Sequence, residues 1–300
     1  MAKKQTRLIF LSTSLILTLI LIFLVVSCSG QKVSIGSKPF NEQYILAHMI
    51  ALLVEDQGIE TEVQEGLGGT SINYEALKQD QIDAYVEYTG TAYSVILNLP
   101  QKETWDPQVV YQESEQGMIE NDGIHIAANI GFQDNYGIAV PRDWAQDNNI
   151  ETISELEAYS QDMAIGTDPE FATRPDGLPQ LEKVYGITFG ETAQMEPTLM
   201  YEAIRNGDVD AISGYTTDTR IDRFGLMFLI DDKNALIPYD AIVLVKEETL
   251  NQPEVMEAIE KLEGRIDTDT MRQLNYQYDV DQREARDIAR DFLLEQGLIK

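Results

Sequence analysis

The chain has 300 residues, enough for two domains of ordinary size, and 43% of them are hydrophobic, which supplies material for real cores and excludes disorder for its bulk. Its 51 acidic residues against 22 basic ones give a formal net charge of −29, a surface that repels phosphate backbones and anionic lipid heads and so argues against nucleic-acid binding. A single cysteine, Cys28, excludes a disulfide framework.

Residues 1–27 carry Lys3, Lys4 and Arg7 and no acid, followed by an apolar run from Leu8 to Val26. With Val25-Val26-Ser27-Cys28 at its end, this predicts a secretory signal of the lipoprotein type, with Cys28 as the lipidated residue. The run is also long enough to stay uncleaved as a bilayer-spanning anchor. Either way the globular part is expected outside the cytoplasmic membrane and tethered to it; loss of residues 1–27 takes the net charge from −29 to −32.

Next comes a strand at Val33–Ile35, and Pro39 opens a predicted helix to about Asp56 with Ile45, Met49, Leu52 and Leu53 on its apolar face. His48 in this helix has no second His, Cys or carboxylate at ligand spacing, so it is expected on the helix surface, and no metal or cofactor site is expected in the chain. After a strand at Ile59–Gln64, Gly66-Leu67-Gly68-Gly69-Thr70 turns into a helix over Ser71–Lys78; the glycine pattern is neither GxGxxG nor a P-loop. The strand that follows ends at Tyr88, and Gly90-Thr91 starts another helix. Trp105-Asp106-Pro107 begins an amphipathic helix, and Gly123 leads to a strand at Ile124–Ile130 in which His125 is expected to be structural. Polar residues around Asp134 and Tyr136 then mark a crossover to a second domain.

That second domain repeats the first. From Tyr201 the chain reads YEAIRNGDVDAISGYTT, so that Tyr74, Glu75, Ala76, Asp83, Ala84, Tyr88 and Thr89 recur without a gap as Tyr201, Glu202, Ala203, Asp210, Ala211, Tyr215 and Thr216. Upstream, Ile35-Gly36-Ser37-Lys38-Pro39 is matched by Ile165-Gly166-Thr167-Asp168-Pro169, while Phe171–Gly177 is predicted to be a loop. Both copies read as α/β units, helix then strand, with a tyrosine at the strand tip. Ligands of open α/β sheets bind beyond the carboxyl ends of the strands, so two facing units would point Tyr88 and Tyr215 into one cleft. Around Pro238-Tyr239-Asp240 the chain returns to the first domain through a strand at Ala241–Val245, and three helices finish it.

Enzyme signatures are missing: there is no GxSxG elbow, HExxH or CxxC, and a non-enzymatic chain is expected. The informative residues are aromatic, with Tyr88 and Tyr215 from the repeat and Tyr136 and Tyr239 at the crossovers. A trimethylammonium has no N–H to donate, so aromatic faces and shape must recognise it. At about 1–2 kcal/mol per desolvated contact, four faces approach the roughly 8 kcal/mol of a micromolar complex.

The segments Ile35-Gly36-Ser37-Lys38-Pro39-Phe40-Asn41-Glu42-Gln43, Glu65-Gly66-Leu67-Gly68-Gly69-Thr70, Val86-Glu87-Tyr88-Thr89-Gly90-Thr91, Arg174-Pro175-Asp176-Gly177 and Pro238-Tyr239-Asp240 resemble the substrate-binding proteins of ABC importers for glycine betaine, proline betaine and choline, most closely the archaeal betaine-binding branch. The resemblance covers essentially all of residues 32–300. It implies a two-lobed α/β fold of the type II periplasmic-binding-protein kind, with the ligand between lobes of residues 31–133 plus 238–300 and 134–237. It implies that Tyr88, Tyr136, Tyr215 and Tyr239 box the quaternary ammonium beside the main-chain oxygen of Asp134, and that Lys38, Thr91 and Arg174 hold the ligand carboxylate. It further implies a membrane permease and a cytoplasmic ATPase as partners in osmoprotectant uptake.

Three rivals stand beside this reading. Choline or another quaternary ammonium keeps the fold but leaves Lys38 and Arg174 facing no carboxylate, at a cost of a few kcal/mol. A tethered sensor would signal rather than deliver, and a surface hydrolase would turn its ligand over.

Overall fold

Residues 32–300 are described by a computed structural model, so the export signal expected at 1–27 and the lipidation expected at Cys28 lie outside the described residues. In chain order the strands are Val33–Gly36 (β1), Thr61–Gln64 (β2), Ala84–Tyr88 (β3), Ile124–Gln133 (β4), Tyr136–Pro141 (β5), Ala164–Thr167 (β6), Glu191–Gln194 (β7), Ala211–Tyr215 (β8), Leu226–Phe228 (β9) and Asp240–Lys246 (β10). The helices used below are Asn41–Asp56 (α1), Thr70–Lys78 (α2), Pro107–Asp122 (α3), Leu178–Tyr185 (α4), Pro197–Asn206 (α5), Pro253–Glu260 (α6), Thr268–Asp279 (α7) and Ala285–Glu295 (α8). No helix among the described residues is long and apolar enough to cross a membrane.

The strands form two five-stranded sheets, ordered β2-β1-β3-β10-β4 and β7-β6-β8-β5-β9. Each sets three parallel strands beside an antiparallel one, which pairs in turn with a last antiparallel neighbour. The common order reflects the duplication seen in the sequence. In both sheets the fourth strand arrives from the other sheet: β5 follows directly from β4, and β10 returns after β9. The result is the expected two-lobed α/β fold with a cleft between the lobes. Inside the first sheet, period-2 alternation sends Val86 and Val243 to one core and Tyr85, Ile242 and Leu244 to the other.

Two elements show how the sequence sets their ends and their faces. The Asp106 carboxylate accepts from the backbone N–H of Gln108 and Val109, Pro107 occupies the first turn, and Gly123 stops α3 at a left-handed φ of 65°. Helix α1 departs from the expectation of a single apolar face, because residues from Glu42 to Val54 are buried around nearly the whole helix. The sheet covers one side, and α6, α7 and α8 cover the other, so the C-terminal helices turn an amphipathic surface into a core. His48 is half-buried there, with Nε2 at 2.6 Å from Glu65 Oε1.

The crossovers are anchored at the strand tips. A Cβ at Gly90 would stand 2.7 Å from the Pro238 carbonyl oxygen, so only glycine lets the returning chain lie against the turn after β3. The Thr89 hydroxyl donates to that same carbonyl at 3.1 Å.

Candidate ligand cleft

A cavity of about 780 Å³ opens where the strand tips of the two lobes meet. Its wall includes Tyr88, Thr91, Asp134, Tyr136, Arg174, Tyr215 and Tyr239. Six of the seven side chains singled out for the ligand, and Asp134, named for its main-chain oxygen, thus line one cavity. Lys38 is not among the lining residues; it is buried behind Tyr88, its ammonium paired with the fully buried Glu87 carboxylate and 5.0 Å from the centre of the Tyr88 ring.

Tyr88 ends β3 and Tyr215 ends β8, as the repeat requires. Tyr136 opens β5 directly opposite Tyr215 in the antiparallel register. The pairing brings their ring centres to 4.6 Å and lets the Tyr215 hydroxyl donate to that of Tyr136 at 2.7 Å. Phe171 also stacks against Tyr136, with ring centres 5.0 Å apart. That residue was expected in a loop, but Pro169–Thr173 forms a short helix that carries Phe171 into the core. Tyr239 precedes β10, its N–H donating to Asn135 Oδ1 and its carbonyl accepting from the Asp134 N–H. The two crossovers therefore fasten each other at the cleft.

Arg174 reaches the wall as half of a fork on Asp176, with Nε to Oδ1 at 2.9 Å and Nη2 to Oδ2 at 2.5 Å. The Asp176 carboxylate holds the guanidinium above its ordinary range, so it stays a fixed cation. Thr91, half-buried in the first helical turn after β3, also lines the cavity.

The opposite electrostatic feature escaped the sequence reading. Glu42, in the first turn of α1, is buried on the cavity wall, where it accepts from the Tyr88 hydroxyl and, at 3.1 Å, from Asn275 Nδ2 of α7. Burial, and then the nearby Asp134 charge, push its carboxyl up to about 8. Asp134 takes a 2.7 Å hydrogen bond from the Thr217 hydroxyl, yet burial still raises it to about 6. Burial thus raises both acids, Glu42 the further of the two. Glu42 stands between the polar Asn41 and Gln43 at the start of α1, so the local pattern gave no signal for it, and Asn275 had none either, since only tertiary packing brings α7 to the cleft.

The wall thus combines aromatic faces with buried and half-buried acids, the Arg174 guanidinium and the Thr91 hydroxyl. That pattern suits a compact zwitterion whose cation has no N–H. Among the described residues no group of three or more His, Cys, Asp or Glu could hold a metal ion.

Residues 31–295 match the family described as the substrate binding domain of ABC-type glycine betaine transport systems. The chain is 32% identical to a glycine-betaine-binding protein of Pseudomonas aeruginosa, covering 90% of this chain and 89% of that one. It is also 32% identical to the ergothioneine transport permease/ergothioneine binding protein EgtU of Helicobacter pylori; there 88% of this chain matches, but it spans only 47% of that relative's length. A crystal structure of a glycine betaine/carnitine/choline ABC transporter superposes with a TM-score of 0.84 at 31% identity, over 89% of this chain and all of the other.

Proposed function

The chain belongs to the family of substrate-binding domains of ABC-type glycine betaine transport systems, and from that premise we propose that it captures glycine betaine, and proline betaine with it, outside the cell for osmoprotectant uptake. The lobes are residues 31–133 plus 238–300 and residues 134–237. The four tyrosines box the quaternary ammonium beside the Asp134 main-chain oxygen, in the manner of the archaeal betaine-binding branch. Thr91 and Arg174 take the carboxylate from the cavity wall. Lys38 joins them by exchanging Glu87 for the ligand, a step opposed by the strength of a buried pair. The protein is anchored through Cys28 and delivers its ligand to a permease driven by an ATPase; the joint permease and binding-protein name of the Helicobacter relative supports that partnership.

The observation that carries this reading is the convergence of four tyrosines and a fixed guanidinium on one cavity. Mass spectrometry of small molecules released from protein purified from its native host tests it. Recovery of a betaine supports the assignment, and recovery of a ligand without a quaternary ammonium contradicts it.

A longer betaine is the second reading, favoured by cavity volume. About 780 Å³ falls within the roughly 300–1,000 Å³ of sites that enclose drug-sized molecules, and Asp218, Arg220 and Asn275 extend the wall beyond the tyrosines. Carnitine and ergothioneine, the ligands in the relatives' names, are both trimethylammonium carboxylates with additional hydrogen-bonding groups.

A further inference from the structure

The cavity holds a second arginine fork besides that of Arg174. Arg174 pairs with the acid two residues after it. Arg220 pairs with the acid two residues before it, Asp218, through Nε to Oδ1 at 3.0 Å and Nη2 to Oδ2 at 2.6 Å. The fork leaves Nη1 outside it. The guanidinium also lies 4.3 Å from the centre of the buried Tyr201 ring, a second hold on its position. Burial opposes its charge, yet the Asp218 carboxylate holds it above its ordinary range. Arg223, at the other end of the short helix Arg220–Arg223, lines the same cavity, is exposed, and has no hydrogen bond or ion pair among the described residues. A solvated arginine is ordinary by itself. In a chain of 51 acids and 22 bases, however, acidic partners are plentiful, and an arginine left without one beside a fixed guanidinium presents the cavity with positive charge open to an anion.

We propose that Arg220 and Arg223 form a second anion site in the cavity, which takes the carboxylate of betaines whose anionic group is separated from the ammonium by several methylenes. The two forks differ in what they face. Arg174 acts electrostatically on Tyr136, Tyr215 and Tyr239, three of the four tyrosines assigned to the ammonium. Arg220 faces Asp218, Tyr201 and Asp279 instead. A carboxylate one carbon from an ammonium held by the tyrosines therefore meets Arg174, whereas one on a longer chain has Arg220 and Arg223 to reach. Asp279, the other acid beside this site, is exposed and screened by water, and it accepts from Asn41 Nδ2 at 2.9 Å. Selection by length is then a difference between two arginine sites that share one set of tyrosines.

This inference rests on the betaine reading above and deepens its longer-ligand form, and the two fail differently. The test is calorimetric titration of the purified full chain with glycine betaine and with γ-butyrobetaine, which differs only in a longer methylene chain. It is run on the wild type and on Arg220→Gln, Arg223→Gln and Arg174→Gln. The wild type should bind both ligands. Arg220→Gln should lower γ-butyrobetaine affinity about tenfold more than glycine betaine affinity, and Arg223→Gln should move that ratio the same way by about threefold. Arg174→Gln should move it the opposite way. Because Arg223 is exposed and makes no contact that folding needs, its variant reads the site even where Arg220→Gln fails to fold. Equal losses for the two ligands in the Arg220 and Arg223 variants, or a wild type that binds glycine betaine but not γ-butyrobetaine, overturn the second site. A wild type that binds neither overturns the betaine reading first and takes this site with it.

Discussion

Tyr88 and Tyr215 occupy the same place in the duplicated unit, and the structure treats them in opposite ways. Tyr88 is 4% exposed, its hydroxyl held between Glu42 and Gln43 and its ring backed by Lys38. Tyr215 is 44% exposed and is tied through its ring and hydroxyl to Tyr136. In the first lobe α6, α7 and α8 pack over α1, the helix whose Glu42 and Gln43 hold the tyrosine hydroxyl. If the tyrosines form the proposed cage, its first-lobe half is built before the ligand arrives and its Tyr215 half is free to adjust to it. Preorganisation on one side keeps the ordering needed on binding small, while the open side admits betaines of different length.

Alanine at the two positions breaks this comparison most severely. Tyr88→Ala should lower folding stability by about 3–5 kcal/mol, because it opens a hole in the core and strips Glu42 and Gln43 of a partner. Tyr215→Ala should stay within about 1 kcal/mol. Both should lose about 1–2 kcal/mol of betaine affinity. Denaturant melts combined with calorimetry separate the two effects, and equal stability losses would show that the lobes hold their tyrosines alike.

Acidity sharpens the contrast, since Glu42, which holds the Tyr88 hydroxyl, belongs to the first lobe, while Asp134 opens the second and is held by Thr217. Glu42, at about 8 when folded against 4.5 for the free side chain, binds more protons in the native state than in the unfolded one between those values. Its contribution to stability is full below about pH 4.5 and is lost as pH rises toward 8; Asp134 acts in the same sense between 3.8 and about 6. The ligand-free protein should therefore weaken by a few kcal/mol from about pH 5 to pH 8, and Glu42→Gln should flatten that slope. A quaternary cation favours the ionised acids, so betaine affinity should rise over the same interval and binding should release protons. Calorimetry in buffers of different ionisation enthalpy reads the release directly.

A smaller effect separates the two cations. Arg174 lies on the cavity wall and Lys38 behind it, so Arg174→Ala should cost about 1.5–3 kcal/mol of betaine affinity and reduce the ligand-induced compaction seen by solution scattering at saturation. Lys38→Ala should weaken binding less and leave compaction largely intact. Full compaction of a saturated Arg174→Ala variant would show that the aromatic cage alone closes the lobes.

The two-unit architecture was legible because the repeat places equal residues at equal strand tips, and tip position in an α/β sheet is already a statement about ligands. Tyr136 and Tyr239 were legible for a related reason, as aromatic residues at the points where the chain must cross. What stayed hidden depends on neighbours distant in sequence. The Lys38–Glu87 pair is set by the packing of the β1 end against β3, the burial of Glu42 by helices at the far end of the chain, and the core position of Phe171 by a short helix where punctuation suggested a loop. Local pattern carries none of these.

The central claim is that one cleft grips a zwitterion at both ends, by aromatic faces at the cation and by Arg174 with Thr91 at the carboxylate. The direct measurement is a calorimetric titration of the purified protein with glycine betaine and, under identical conditions, with choline, which keeps the trimethylammonium and lacks the carboxylate. The account expects a micromolar or tighter dissociation constant for betaine and choline weaker by about tenfold or more, the equivalent of about 1.4 kcal/mol. Choline binding as tightly as betaine, or more tightly, would contradict it.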